Sequence, residues 1–352
     1  MRTNHLGPVG PAVSEIGLGT MTFGVETSRD EARRQLDRFV AAGGTLVDTA
    51  NVYGGGAAES IIGEWLALRR PEGVVVATKG RFDSPEGVSG ASRRAITAAL
   101  DGSLRRLGTE TIDLYYVHGW DPAVPVEETL GALTDAVAAG KVRWIGWSNT
   151  TGWQLQRILD VARTGEFVVP VVSQPQYNLL DRGIEWELLP LCLDEGVAVV
   201  PWSPLGGGWL TGKYRREVEP SGATRLGEDP ARGVEAYDAR NTDRVWAILD
   251  AAEDVARQEG RWLGEIALLW LMQRPGVASV LVGARTVEQL EQSLAAAGGS
   301  LSPGSVARLT AASAPGLPPY PYGMIESYCD ETIWGELGTK PPLRGARDNS
   351  PL

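Results

Sequence analysis

Asp48 and Tyr53 in LVDTANVYG, Lys79 in VVVATKG and His118 in IDLYYVHGWD place four polar groups at the ends of three successive predicted strands. They are a carboxylate, a phenol, an ammonium and an imidazole. Each segment is an apolar run that meets a polar residue at its last position or just beyond it, and His118 is one of only two histidines in the chain. Neighbouring parallel strands lie roughly 4.8 Å apart, so three such strands side by side carry all four groups to one rim. Such a set can donate a proton to an oxygen that is gaining negative charge. Taken singly, Tyr53 reads more readily as a packing residue, Asp48 and Lys79 as solvated rim charges, and His118 as a structural histidine. The combination reads as an enzyme.

The elements that must position these groups follow from periodicity. Short β-branched runs predict strands at 15–19, 45–49, 74–79, 112–118, 144–149, 171–177, 197–203 and 279–284. Over 126–140, Val126, Leu130, Leu133 and Val137 recur at helical spacing, with Gly140 placed to end the helix. Comparable helices are expected at 28–42, 57–70, 89–107, 151–163, 185–195 and 286–297. Strands alternating with helices imply parallel pairing with the helices outside. Eight such units predict an α/β fold, a closed (β/α)8 TIM barrel; an open dinucleotide-binding sheet is disfavoured because no GxGxxG follows the first strand. Barrels of this kind keep their chemistry at the C-terminal ends of the strands.

Two regions break the rhythm. About 75 residues separate the last two strands, opening with the polar stretch 206–241, which reads as a lid or binding loop before it reads as a linker. Helices at 242–259 and 263–273 then lead back to the barrel. The expected division is a barrel over 1–313 and a proline-rich tail over 314–352, its last dozen residues disordered. The three glycines Gly54–Gly56 read as a tight turn into the second helix before they read as a phosphate cradle.

Composition narrows the partners. With 352 residues, 43% of them hydrophobic, the chain can bury a large core. A net charge of −11 and a pI near 4.9 argue against nucleic acid or an anionic membrane as partner. They leave room for a phosphate-bearing cofactor, because a helix N-terminus and one or two arginines suffice to bind it. Cys192 and Cys329 have neither metal nor redox spacing and are expected to be inert thiols. No secretory or membrane-spanning stretch is visible, so a cytoplasmic protein without metal is expected, monomeric or homo-oligomeric.

The ordered motifs resemble those of the aldo-keto reductase superfamily. The resemblance runs over residues 2–312, through VSEIGLGTMTFG, VDTANVYGGGAAE, VVVATKG, LRRLGTETIDLYYVHGWD, AAGKVRWIGWSN, SQPQYNLLDR, WSPLGGGWLTGKY and VLVGARTVEQLEQSL. HGWDPAVPVEETL, GWQLQ and YPYG are similar to the bacterial branch near potassium-channel β-subunit-like and deoxysugar-pathway reductases. The resemblance implies a (β/α)8 barrel, NADPH as cofactor, a small carbonyl substrate and a tetrad at Asp48, Tyr53, Lys79 and His118. Tyr53 would then be the general acid. A phenol of pKa about 10 is a poor donor at neutral pH, and Lys79 would lower that value while Asp48 keeps Lys79 charged. His118, neutral, would orient the carbonyl oxygen and stabilise its developing charge.

The same resemblance implies the cofactor's ligands. Ser148, Asn149 and Gln174 match its nicotinamide-carboxamide ligands, Tyr177 the stacking ring, and Thr20 and Met21 the segment along the ribose. Ser203, Leu205 and Gly207 would offer amides to the diphosphate, and Gly283 closes the strand before Arg285. Arg285 and Gln289, four apart at a helix start, make a site for the 2′-phosphate of NADP. Gln292 and Ser293 stand where the family has Glu-Asn, and serine cannot offer adenine a paired donor and acceptor. The substrate mouth is expected to hold Phe23, Tyr53, Phe82, His118 and Trp120, with Trp202 and the tail near Tyr320. Two other readings remain open: a nucleotide-sugar keto or enoyl reductase, and a cofactor-sensing binding subunit.

Overall fold

The computed structural model describes residues 1–324 apart from Ser84, Ala223, Arg232 and Leu317. Eight parallel strands form the sheet: β3 Ile16–Gly19, β4 Leu46–Asp48, β5 Val75–Gly80, β6 Ile112–Val117, β7 Val142–Ser148, β8 Val172–Gln174, β9 Ala198–Val199 and β10 Val280–Gly283. The sheet runs β10-β3-β4-β5-β6-β7-β8-β9. It closes on itself, because Val199 N donates to Gly276 O at 2.9 Å and Leu281 N to Pro201 O at 3.0 Å. The fold is therefore a (β/α)8 TIM barrel.

Two packing layers follow from strand periodicity. Side chains alternate across a strand, so every second residue faces the barrel axis. Leu46, Ala77, Leu114, Tyr116, Val172, Val200 and Leu281 form the inner cluster. Gly146 faces the same interior, where a Cβ would lie 2.6 Å from the Tyr116 ring. The outward residues, among them Val47, Val76, Tyr115, Ile145 and Val282, pack under the helices. Below the strands a hairpin, β1 Thr3–His5 and β2 Ala12–Ser14, stops the barrel floor with Leu6 and Val13. Neither the hairpin nor its role was expected.

The helices are α1 Arg29–Ala41, α2 Ala57–Arg69, α3 Arg93–Leu107, α4 Val126–Ala138, α5 Gly152–Thr164 and α6 Leu188–Glu195. Next come α7 Arg225–Glu228, α8 Tyr237–Arg240, α9 Asp243–Glu259, α10 Leu263–Met272, α11 Val287–Leu294 and α12 Pro303–Ala312. Two starts differ from expectation for local reasons. α3 begins at Arg93 because Ser92 caps it, its side chain accepting from Ala95 N. α6 begins at Leu188 because Pro190 lacks an N–H and is tolerated only in a first turn. α12 lies beyond the last predicted helix, capped by Ser302 with Pro303 opening it.

The long stretch after β9 is folded. Trp209 stacks on Tyr237 at 5.6 Å and meets Trp246 edge-on at 5.5 Å, tying the loop to α9. Leu226 and Tyr214 are buried beside them. Among the described residues no helix is long and apolar enough to cross a membrane. Cys192 is buried, which pushes its thiol up to about 12; Cys329 and most of the predicted tail lie outside the described residues.

Candidate active site

The inward rows of the strands end in polar groups. The parity of Leu46, Ala77, Leu114 with Tyr116, and Val172 continues upward to Asp48, Lys79, His118 and Gln174. The row of Val200 continues to Trp202. Tyr53 arrives differently, at the start of a 3-10 turn, Tyr53–Gly56. Gly54, Gly55 and Gly56 all take positive φ there and lead into α2.

Lys79 is fully buried at the centre of the tetrad. Its Nζ contacts Asp48 Oδ1, donates to Thr49 O at 2.8 Å and reaches the Tyr53 hydroxyl at 3.4 Å. Asp48 Oδ2 accepts from Gln174 Nε2 at 2.9 Å. Burial pushes Lys79 down, but Asp48 and Tyr53 outweigh it, so its pKa is raised and the ammonium is secure. Burial also raises Asp48 against the pull of Lys79 and Gln174.

Burial raises the pKa of Tyr53; Lys79 pulls it down as expected but is outweighed, and the phenol does not fall below its ordinary value. The hydroxyl therefore keeps its proton at neutral pH, as an acid must before it donates. Burial, then Lys79 and Arg81, hold His118 well below the usual imidazole value, so it is neutral. The rings of Tyr53 and His118 stand edge-on at 6.0 Å, and His118 Nδ1 is buried without a partner among the described residues.

A cavity of about 650 Å³ opens above the tetrad. Asp48, Tyr53, His118, Ser148, Asn149, Gln174 and Trp202 line one end, with Thr20 and Met21 beside them. Ser203, Leu205 and Gly207 also line it. Gly283, Arg285, Gln289, Gln292 and Ser293 line the other end. Asn149 Nδ2 donates to His118 O at 2.9 Å and its Oδ1 accepts from Trp202 Nε1 at 3.1 Å. Ser293 Oγ donates back to Gln289 O at 3.3 Å, which occupies its one proton.

Several predicted site residues lie elsewhere. Tyr177 does not line the cavity: it is buried, its ring against Trp270 at 5.7 Å and its hydroxyl donating to Glu185 at 2.6 Å. β8 ends at Gln174 and Pro175 follows, so the chain turns away before Tyr177. Trp202 presents an indole to the cavity instead. Phe23 is also a core residue, fully buried, because Gly24 turns the loop inward against Ala57. Phe82 sits at the rim, its ring 4.8 Å from that of His118, and Trp120 packs edge-on against Trp153 at 5.6 Å. Tyr320 is exposed, and the neighbouring Tyr322 rests on Trp186.

The sequence reading missed the cations at the far end. Lys213 and Arg225, both from the long loop, line the cavity with Arg285. Lys213 has no carboxylate partner among the described residues, and burial, then Arg285 and Arg225, lower its pKa. An ammonium without a carboxylate partner, grouped with two guanidinium groups, is a site for anionic oxygens. Gly207 and Gly208 lie beneath it at φ +64 and +96. A Cβ on Gly208 would lie 2.4 Å from Lys213 Nζ, and one on Gly207 2.3 Å from Glu235 Oε2. Gly208 thus brings the cation against bare backbone, and Gly207 does the same for the Glu235 carboxylate.

Comparison with known proteins shows the family. A sequence model of the aldo/keto reductase family matches residues 15–314. The chain is 36% identical over 308 residues to the uncharacterized oxidoreductase YrpG of Bacillus subtilis (strain 168), covering 84% of this chain and 91% of that one. It is 34% identical over 316 residues to an aryl-alcohol dehydrogenase [NADP(+)] of Phanerodontia chrysosporium, covering 85% and 80%. It is also 34% identical over 307 residues to a probable voltage-gated potassium channel subunit beta of Oryza sativa subsp. japonica, covering 84% and 91%. This chain belongs to the aldo/keto reductase family.

Proposed function

We propose that the protein is an NADPH-dependent oxidoreductase that reduces an aldehyde or ketone to an alcohol, with Tyr53 as the proton donor. The observation that carries this reading is one cavity lined both by Asp48, Tyr53 and His118 of the tetrad and by Lys213, Arg225 and Arg285. The residues present fit a dinucleotide phosphate: the glycine-floored cation cluster suits its phosphates, and Ser148, Asn149 and Gln174 offer amide and hydroxyl groups near the tetrad. The chemistry that NADPH supplies when bound is a hydride.

What the chain's own residues do follows from their contacts. His118, neutral, donates a hydrogen bond to the substrate oxygen and holds it towards Tyr53. Negative charge that develops on that oxygen draws the proton from the Tyr53 hydroxyl. Lys79, 3.4 Å behind it, stabilises the phenolate left behind. Asp48 fixes Lys79 from below and Gln174 fixes Asp48. Phe82, whose ring lies 4.8 Å from that of His118, favours a flat or apolar substituent on the carbonyl. The dehydrogenase named for aryl alcohols among the relatives supports the same preference.

Stopped-flow oxidation of NADPH with aromatic aldehydes, aliphatic ketones and keto-sugars tests this reading. Turnover of simple carbonyls is the expected result. Turnover of keto-sugars alone would move the protein to the sugar-reductase reading, and tight binding without turnover of any carbonyl would refute catalysis.

A further inference from the structure

The guanidinium that faces the far end of the cavity is already engaged. Arg285 Nη1 and Nη2 donate to Glu228 Oε1 and Oε2 at 2.9 and 2.8 Å, a parallel two-bond fork. Glu26, from the loop before α1, stands 3.7 Å from Nη2. Glu228 comes from α7, 57 residues earlier in the chain. Its carboxylate and a phosphate dianion would use the same two donors, and side by side they would repel. A ligand with a 2′-phosphate must therefore displace Glu228, whereas one with a 2′-hydroxyl need not.

Resting on the NADPH reading above, we infer that Glu228 is a built-in competitor for the 2′-phosphate and thereby sets the selectivity between NADPH and NADH. The ion pair is only half-sheltered, with side-chain exposures of 20% for Arg285 and 44% for Glu228. Solvent weakens such a pair, so Glu228 reduces the phosphate's advantage without abolishing it. Lys213 and Arg225, in the same cavity, retain their pull on the rest of the ligand.

The test is calorimetric titration of the full chain with 2′,5′-ADP and, separately, 5′-AMP. Glu228→Gln is expected to bind 2′,5′-ADP about 2- to 10-fold more tightly, with 5′-AMP unchanged. Glu228→Asp, which keeps the charge but shortens the reach, should shift in the same direction and guards against a folding artefact of the first variant. Arg285→Ala should weaken 2′,5′-ADP alone. If Arg285→Ala weakens it but both Glu228 variants bind as the parent does, or less tightly, the competitor role is overturned while the phosphate site stands. If Arg285→Ala binds 2′,5′-ADP as the parent does, the phosphate site itself is misassigned and the inference falls with it.

Discussion

Lys79→Met tests the centre of the site through stability as well as rate. Lys79 is fully buried, and its ammonium meets Asp48, Thr49 O and the Tyr53 hydroxyl. Methionine fills the space but makes none of these contacts. Removing one partner of a buried pair costs about 3–5 kcal/mol, because the other charge stays behind unpaired. The lost donor to Thr49 O adds about 1 kcal/mol. Against a typical stability of roughly 5–15 kcal/mol, the variant should unfold at much lower urea.

The pH dependence fixes the cause. Burial already raises Asp48, and Lys79 provides two of the effects that oppose it; Gln174 remains as the third. In the variant the folded pKa of Asp48 rises further above its unfolded value of about 3.9. A raised carboxyl contributes stability that is fully present below the unfolded pKa and lost as pH rises through the folded one. Lys79→Met should therefore be less destabilised at pH 5 than at pH 7.5. Asp48→Asn combined with Lys79→Met should recover part of the loss, giving a coupling energy in the double-mutant cycle. Urea titrations of the four proteins at both pH values measure this. A single variant as stable as the parent, or a double variant no better than Lys79→Met, would refute the buried-pair argument.

Three further outcomes are expected. Tyr53→Phe should lower carbonyl turnover by about 10²–10⁴-fold with cofactor affinity nearly unchanged by fluorescence titration, since the ring still packs and only the acid is lost; near-parental turnover would displace Tyr53 as donor. His118 is held low by burial, Lys79 and Arg81, so its contribution to stability is present above the unfolded value of about 6.5 and lost as pH falls, by up to about 1.4 kcal/mol per unit; urea titrations of His118→Asn should show a shallower loss below pH 6.5, and an identical slope would mean the imidazole charges freely. Gly208→Ala, at φ +96 and with its Cβ 2.4 Å from Lys213 Nζ, should weaken 2′,5′-ADP about 5- to 10-fold by calorimetry; unchanged binding would show that Lys213 shifts without cost.

What could be read without coordinates was whatever strand parity controls. A residue at the end of an inward row must face the barrel mouth, so Asp48, Lys79 and His118 were legible as a group, while Gln174, at the end of another such row, entered only through the family resemblance. Tyr177 was carried over from the family resemblance, and parity does not support it: the inward row ends at Gln174 and Tyr177 is off its count, whereas the count along Val200 leads to Trp202. Phe23 shows the same limit in a loop, where aromatic composition does not say which way a ring turns. The hairpin under the barrel was missed because strands of three residues are too short to show a period.

The cations at the far end were beyond any local pattern. Lys213 and Arg225 sit in a stretch whose polarity suggested a lid or binding loop without saying which side chains turn inward, and their approach to Arg285 depends on how that stretch folds. The Trp209 cluster with Tyr214, Tyr237 and Trp246 supplies the packing that holds it. Glu235, buried below the loop, completes the placement: it accepts from Ser203 and pairs with Arg225 at 3.4 Å. A net charge of −11 therefore describes the surface as a whole and not the field inside this cavity. There the carboxylates hold guanidinium groups in position, and Lys213 supplies the positive charge they leave uncompensated.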